Sequence, residues 1–426
     1  MKVMELKDRL LNGAYDGAFG KLYGDVDKAR VRYADACDEF VKLFGQDREA
    51  CLFSAPGRTE VGGNHTDHQL GRVLAGSVDL DVIAVASPNT DGVVRIKSAG
   101  FTMDTVDLSD LNPAADEEEH AIALIRGICA RMQELGYQIG GFDAYTTSNV
   151  LNGSGLSSSA AFEVLVGTMV SHLYNNGGID AVTIAKVSQY AENEFFGKPC
   201  GLMDQMACAV GGFTAIDFAD PEQPVVEKVD FDLASRDFCL CIVNTGGNHA
   251  DLTSEYAAVP GEMTRIAKFF GKAVLRQVDI EAFYSKIAEL RLVFGDRAVL
   301  RAIHFFDENE RALQEKEALR DGQFDHFLEL VKESGRSSYM KLQNVYSSQN
   351  VSEQGLSLAL ALSERILAGR GAWRVHGGGF GGTIQAFVPG DLLEEYRAKM
   401  ECVFGQGTCY VLRIRPCGGI RITEEI

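Results

Sequence analysis

The sequence predicts a two-domain protein of the α+β class. Three observations carry that expectation. The chain has 426 residues, more than one hydrophobic core usually accommodates, because single cores stop growing near ~250–300 residues. Apolar residues make up 46% of it, enough to fill packed interiors and too many for a disordered chain. Strand-like and helix-like segments mix in both halves without the regular alternation of a doubly wound parallel sheet.

Taken in order, residues Val26 to Phe44 carry apolar side chains at helical spacing and end at Gly45, a good helix stop. CLFSAPGR then reads as a strand running into a turn, and VIAVASP as a strand that stops at proline. A helix is expected over 118–135, closed by Gly136, followed by the strand FDAYTTSNV and the glycine-serine cluster NGSGLSSSA. From Leu156 the apolar residues return at helix period, so that cluster joins a strand to a long helix. A helix over 181–196 leads into a second glycine-broken segment, GKPCGLMDQMACAVGG, and then the strand FCLCIVNT. A helix-rich region covers 250–367. The strand–loop–strand unit WRVHGGGFGGTIQAFV, a helix and the strand TCYVLRIRP complete the order. No internal repeat or linker is visible, so the domains are drawn as 1–215 and 216–426.

Composition narrows the function classes. Sixty acidic against 41 basic residues give a formal charge of −19, which repels nucleic acid and anionic membranes over most of the surface. A small anionic ligand held by local backbone amides stays compatible with that charge. No apolar run reaches the ~18–20 residues that span a bilayer, and the first residues carry charges where a signal peptide needs apolar ones. The ten cysteines lie singly, without a C-x-x-C pair, as free thiols do in a reducing compartment. The expectation is a cytoplasmic protein with no structural zinc.

Four motifs could carry chemistry. In the segment Gly153, Ser154, Gly155, Leu156, Ser157, Ser158, Ser159 and Ala160, glycines let the backbone approach an anion, and the following helix presents unpaired amides. The same turn could simply cap the helix. In APGRTEVGGNHTDH, Arg58, Glu60, Asn64, His65, Asp67 and His68 fall within eleven positions. That is either solvated surface or polar groups held at the edge of a core. Asp204, in PCGLMDQ, is a lone acid in an apolar stretch, either a satisfied helix cap or a group in a cleft. Gly377 to Gly382, GGGFGG, reads as a tight turn between strands. There is no G-x-x-x-x-G-K-[ST] and no protein-kinase signature set.

Together, in this order and spacing, APGR…HTD, GLSSSA, PCGLMDQ and GGGFGG resemble the GHMP small-molecule kinases, and specifically their galactokinase branch. The segment from Asn244 to Tyr256 is similar to a further galactokinase stretch. The resemblance implies an N-terminal domain like ribosomal protein S5 domain 2 and a ferredoxin-like C-terminal domain, with ATP and sugar in the cleft between them. It implies a phosphate loop at Gly153 to Ala160, and Mg2+ held by Ser158 or Ser159 together with Glu192. It implies a catalytic pair, Arg58 and Asp204, and sugar contacts from Asn64, His65, Asp67, Gly201 and Tyr256.

This sequence departs from the family pattern in one region. Asn64 stands where the family's glutamate precedes HTD, His68 where its tyrosine follows, and Glu60 where its asparagine follows the arginine. Asn64 lies three residues before Asp67, so both side chains are expected to face one ligand and Asn64 to tune the sugar. The implied activity is ATP-dependent phosphorylation of galactose at its anomeric hydroxyl, by a monomer or weak homo-oligomer. Two alternatives stay open. One is a kinase for galacturonate or N-acetylgalactosamine, because losing the carboxylate at 64 removes repulsion toward a uronate. The other is a sugar sensor that binds without catalysing.

Overall fold

The computed structural model describes residues 1–150, 155–198, 200–246 and 252–425. Gly153 and Ser154 of the expected phosphate loop, Pro199 of PCGLMDQ and His249 lie outside them.

Three helices open the chain: α1 (Val3–Leu11), α2 (Asp16–Leu22) and α3 (Val26–Phe44). In α3 the residues Ala29, Tyr33, Cys37 and Phe40 form a buried stripe, as a 3.6-residue period requires. Asp25 caps its start by accepting a bond from the Lys28 amide at 3.0 Å, and Gly45 ends it at φ +88°.

The strands follow as β1 (Cys51–Gly62), β2 (Arg72–Pro88), β3 (Val93–Ser98), β4 (Met103–Asp107), β5 (Phe142–Ser148), β6 (Phe213–Asp217), β7 (Val225–Val229), β8 (Phe238–Asn244), β9 (Ala372–Val375), β10 (Thr383–Pro389), β11 (Cys409–Leu412) and β12 (Ile420–Ile422). Among the described residues they form two sheets. The first runs β12-β1-β2-β5-β3-β4, with β6 and β7 added beside β2, and all its pairs are antiparallel except β3 with β5. The second is β11-β8-β10-β9 and wholly antiparallel.

Alternation along β2 shows how the first sheet is covered. Val82, Ala84 and Ala86 join one core with α4 (Ala121–Glu134), α5 (Ser158–Tyr174), α6 (Ala181–Glu194) and α7 (Met203–Val210). Ile83 and Val85 join another with α1 to α3. A strand buried on both faces needs apolar residues at every position, and residues 82–86 of β2 supply them. In the second sheet Leu240 and Ile242 enter the first core, while Cys241 and Val243 face α13 (Gly355–Leu367) and α14 (Leu393–Phe404). One core therefore runs from the first sheet to the inner face of the second. Between β8 and β9 the chain forms α8 (Thr253–Phe269), α9 (Ile280–Ser285), α10 (Ile287–Phe294), α11 (Asp296–Arg320) and α12 (Phe324–Ser337) before α13. The first four of these pack around Val259, Met263 and Phe305 as a helical lobe. No helix among the described residues is long and apolar enough to cross a membrane.

Two expectations change. APGR forms no turn: β1 runs straight through it, with register shifts between Pro56 and Arg58 and between Glu60 and Gly62. Pro56 is tolerated there because β12 pairs only with residues 52–54, so the proline lies beyond that ladder and at a bulge. GKPCGLMDQMACAVGG is not merely glycine-broken, since its second half folds as α7. Sheet membership also cuts across residue 215, which lies inside β6, and the first sheet takes up β7 and β12 from the second half of the chain.

Candidate active site

Bulges re-aim side chains, and the two in β1 flank Arg58 and Glu60. Two residues apart on a strand, both point to one side. They line a cavity of about 450 Å3 together with His65, Asp67, Gly201 and Gly378.

At one end Arg58 grips Asp204 with a two-pronged fork. Its Nε donates to Asp204 Oδ1 at 2.7 Å and its Nη2 to Oδ2 at 2.5 Å. Nη1 donates to the Gly155 carbonyl, and Ser157 Oγ to Asp204 Oδ2. The fork is the geometry in which guanidinium and carboxylate bind most strongly. The glycine-serine loop lies on the strand itself: Arg58 N donates to the Leu156 carbonyl at 3.0 Å, and a Cβ on Gly57 would sit 2.8 Å from that oxygen. Asp204 occupies the first turn of α7, where the helix N-terminus favours negative charge. Burial alone would raise its carboxyl, but Arg58's charge and the bonds from Arg58 and Ser157 outweigh it and hold Asp204 below the usual range. It is ionised at neutral pH.

Ser158, Ser159 and Ala160 form the first turn of α5, with Ser157 left-handed at φ +55° before it. Beneath them α5, α6 and α7 pack together, and Gln205 Nε2 donates to Glu163 Oε2 at 3.0 Å and to Glu192 Oε2 at 2.7 Å. Glu163 Oε1 is buried and unpartnered among the described residues. Burial first, then the charge of Glu192, pushes the Glu163 carboxyl well above its usual range. Two buried carboxyl groups under the first turn of α5, one with an unpartnered oxygen, offer the oxygen ligands a hard divalent cation takes, so these residues fit Mg2+. Glu163 and Gln205 escape sequence reasoning. The only signal for Gln205 is its place beside Asp204 in MDQ.

At the other end the expected sugar contacts divide. Asp67 lines the cavity, its Oδ1 accepting from the His68 amide at 2.9 Å. A Cβ on Gly201 would meet Asp67 Oδ2 at 2.5 Å, so only glycine fits opposite it. His65 lines the cavity and donates from Nε2 to the Gly378 carbonyl at 2.9 Å. Asn64 does not share that surface. It is fully buried, and its side chain is saturated: Nδ2 donates to Glu60 Oε1 and the Gly377 carbonyl, each at 2.8 Å, while Oδ1 accepts from Asn344 at 2.9 Å and Ser338 at 3.2 Å. The expectation that Asn64 and Asp67 face one ligand is corrected. His65, at φ +57°, lies between them and redirects the chain. Tyr256 lies behind the wall, its hydroxyl donating to the Gly379 carbonyl at 2.7 Å and its ring 5.3 Å from Phe380. Asn64, His65 and Tyr256 thus hold three successive carbonyls of the GGGFGG loop, whose Gly377 and Gly378 close the cavity.

Known proteins place this geometry. Residues 123–212 match the family described as GHMP kinases N terminal domain, and residues 38–88 match the galactokinase galactose-binding signature. The chain is similar in structure to the galactokinase of Lactococcus lactis complexed with galactose, at 24% identity and TM-score 0.77, covering 92% of this chain and 100% of that one. It is also similar to the mevalonate kinase of Methanococcus jannaschii (13% identity, TM-score 0.58, 86% and 98% covered). A D-glycero-D-manno-heptose 1-phosphate kinase from Bacteriodes thetaiotaomicron resembles it as well (15%, 0.56, 88% and 99%). These likenesses show the fold. Residues 123–212 therefore carry a GHMP kinase N-terminal domain, and the two matches together mark a sugar kinase phosphotransferase. The galactose-binding signature covers the strand that carries Arg58 and the turn that carries Asp67.

Proposed function

We propose that the protein transfers the terminal phosphoryl group of ATP to the anomeric hydroxyl of galactose, giving galactose 1-phosphate, in the cytoplasm. The observation that carries this reading is the Arg58–Asp204 fork, set between a hydroxyl-lined loop and a cavity walled by Asp67. Phosphoryl transfer needs in-line positioning and neutralised charge more than covalent help. Asp204, kept ionised by Arg58, accepts or orients the proton of the attacking hydroxyl. Arg58, which keeps an N–H on each of Nη1 and Nη2 beyond its bonds to Asp204 and Gly155, steadies charge at the transferring group. Asp67 accepts from ring hydroxyls. Mg2+, held by Ser158 or Ser159 and Glu192, would neutralise the phosphate oxygens of the bound nucleotide.

The test is ADP release from ATP and Mg2+ with galactose, glucose, galacturonate, N-acetylgalactosamine and arabinose, with the product's phosphate position read by phosphorus NMR. Galactose turnover with phosphate on C1 supports the reading. Binding without turnover of any sugar would return it to a sensor. The galacturonate alternative loses its basis, since Asn64 is spent on the protein and the carboxylate of Glu60 lines the cavity.

A further inference from the structure

Glu60 stands in the cavity without an assigned role. Its Oε1 accepts from Asn64 Nδ2 at 2.8 Å and from Arg374 Nη2 at 2.7 Å. Two bonds to one oxygen lock the carboxylate in place. Its Oε2 accepts no hydrogen bond from the described residues, and Glu60 lines the cavity. Arg374 cannot turn to a ligand, because it is fully buried and also donates from Nε to the Val375 carbonyl at 3.0 Å and from Nη1 to the Val61 carbonyl.

Asp67 contributes a second carboxylate, and Arg58 turns one N–H of each of its three nitrogens to Asp204 and Gly155, keeping one N–H on Nη1 and one on Nη2. His65 donates to the protein's own Gly378 carbonyl. A ligand entering here meets the carboxylates of Glu60 and Asp67 as acceptors, with His68 Nε2 and the spare N–H groups of Arg58 as the donors beside them. A neutral sugar's hydroxyls donate; a sugar acid's carboxylate only accepts, and it brings like charge.

Resting on the reading of this site as a sugar kinase, we propose that Glu60 is the specificity-determining acceptor of the pocket, reading a hydroxyl through Oε2 and excluding sugar acids. Positions 60 and 64 then act as one unit, in which the carboxylate sits on Glu60 and Asn64 clamps it. A second carboxylate at 64 has no room in that unit, since it would face Glu60 and the Gly377 carbonyl instead of donating to them.

The experiment compares wild type, Glu60→Gln, Asn64→Glu and the exchanged double variant Glu60→Asn/Asn64→Glu, reading kcat/KM for galactose and galacturonate, the KM for ATP and the melting temperature. Sugar affinity without nucleotide is measured by calorimetry. Glu60→Gln keeps the shape and loses the charge, so galactose kcat/KM should fall about ten- to hundredfold with the KM for ATP unchanged. The preference for galactose over galacturonate should narrow by at least about tenfold. Asn64→Glu should lose most sugar affinity, and the exchange should restore it to within about tenfold of wild type. A folded Glu60→Gln variant with unaltered affinity and preference overturns the proposal. If that variant does not fold, an exchange no better than Asn64→Glu alone overturns it. Tighter wild-type binding of galacturonate than of galactose also overturns it while leaving the kinase reading intact. Absence of turnover on every sugar would instead sink the kinase reading, and the calorimetric preference still decides the role of Glu60.

Discussion

Arg58 and Glu60 line one cavity, and each belongs to an arginine–carboxylate pair; the two pairs are built in opposite ways. Arg58 spends two nitrogens on the two oxygens of Asp204, whose side chain keeps 33% of its exposure. Arg374 spends one nitrogen on one oxygen of Glu60, whose side chain keeps 6%. The consequences diverge. For Asp204 the bonds and charge of Arg58 outweigh burial and push the carboxyl down. For Glu60 burial outweighs Arg374, and the carboxyl is pushed up. One pair presents a charge ready to meet a proton; the other presents an acceptor held in a dry wall. Similar residues therefore give a reactive group at one end and a recognition group at the other, according to how many bonds oppose desolvation.

The largest expected effect tests the reactive end. Asp204→Asn keeps the shape and most of the hydrogen bonds but cannot accept a proton. Its kcat should fall by roughly two to four orders of magnitude, while calorimetry finds ATP and sugar binding nearly unchanged. Near-normal turnover would remove Asp204 from the chemistry and leave the two pairs alike.

Next comes the cost of breaking each pair. Arg374→Met leaves Glu60 buried without its cation, and losing one partner of a buried pair costs about 3–5 kcal/mol. Arg58→Met leaves a carboxylate that water can still reach, so its stability loss should be smaller and its loss of kcat much larger. Denaturant titration and steady-state kinetics on both variants separate the two. Equal stability losses would mean that exposure does not distinguish the pairs.

These contrasts were only partly legible in the sequence. Helix α3 was legible because its apolar spacing, its aspartate cap and its glycine stop agree. The strand through APGR was not, since proline and glycine signal a turn locally while pairing with β2 decides the outcome. The resemblance to the GHMP kinases implied that Arg58, Asp67 and Asp204 act together, and the structure brings Arg58 to Asp204 across 146 positions of chain. Spacing cannot say which side of a turn a side chain takes. Asn64 and His65 are neighbours, yet one is spent inside the wall and the other lines the cavity, a difference set by the left-handed backbone at His65. Glu60 could have been suspected from alternation alone, two residues after Arg58 on a strand.

Acid should act on the two ends unequally. Behind the wall, His304 is fully buried, sharing Nδ1 with Ser337 Oγ and donating from Nε2 to the Asn64 carbonyl, each at 2.9 Å. Burial, against the pull of Glu308, lowers its imidazole to about 4. A depressed folded value means stability that is complete above the ordinary 6.5 and is lost as pH falls, because the unfolded chain takes up a proton the fold refuses. From pH 7 to 5 the loss at this histidine is about 2 kcal/mol. Asp204, already below its ordinary 3.8, does not titrate in that window. Melting temperature should therefore drop between pH 7 and 5, less so in His304→Gln, while kcat at saturating sugar stays level. A kcat that falls with the melting temperature unchanged would show that Arg58 does not hold Asp204 ionised.

The smallest expected effect concerns a third carboxylate, which has no arginine. Glu192 shares the amide of Gln205 with Glu163, and its nearest cation is Lys198, whose Nζ lies 3.3 Å from Oε1. That lysine is 63% exposed, so the pair contributes little to stability, about 0–1 kcal/mol. It does compete for an oxygen. If Glu192 holds Mg2+, two substitutions should move the metal requirement in opposite directions. Glu192→Gln removes the ligand charge and should raise the Mg2+ concentration for half-maximal rate about tenfold. Lys198→Ala frees Oε1 and should lower that concentration about twofold, consistent with a screened surface pair. Ser158→Ala and Ser159→Ala complete the set, and at least one should behave like Glu192→Gln without changing sugar affinity measured in the absence of nucleotide. The readout is initial rate against Mg2+ at constant free ATP. Shifts of the same sign for Glu192→Gln and Lys198→Ala would mean that both act through packing of α6, and the metal would then have to be held elsewhere.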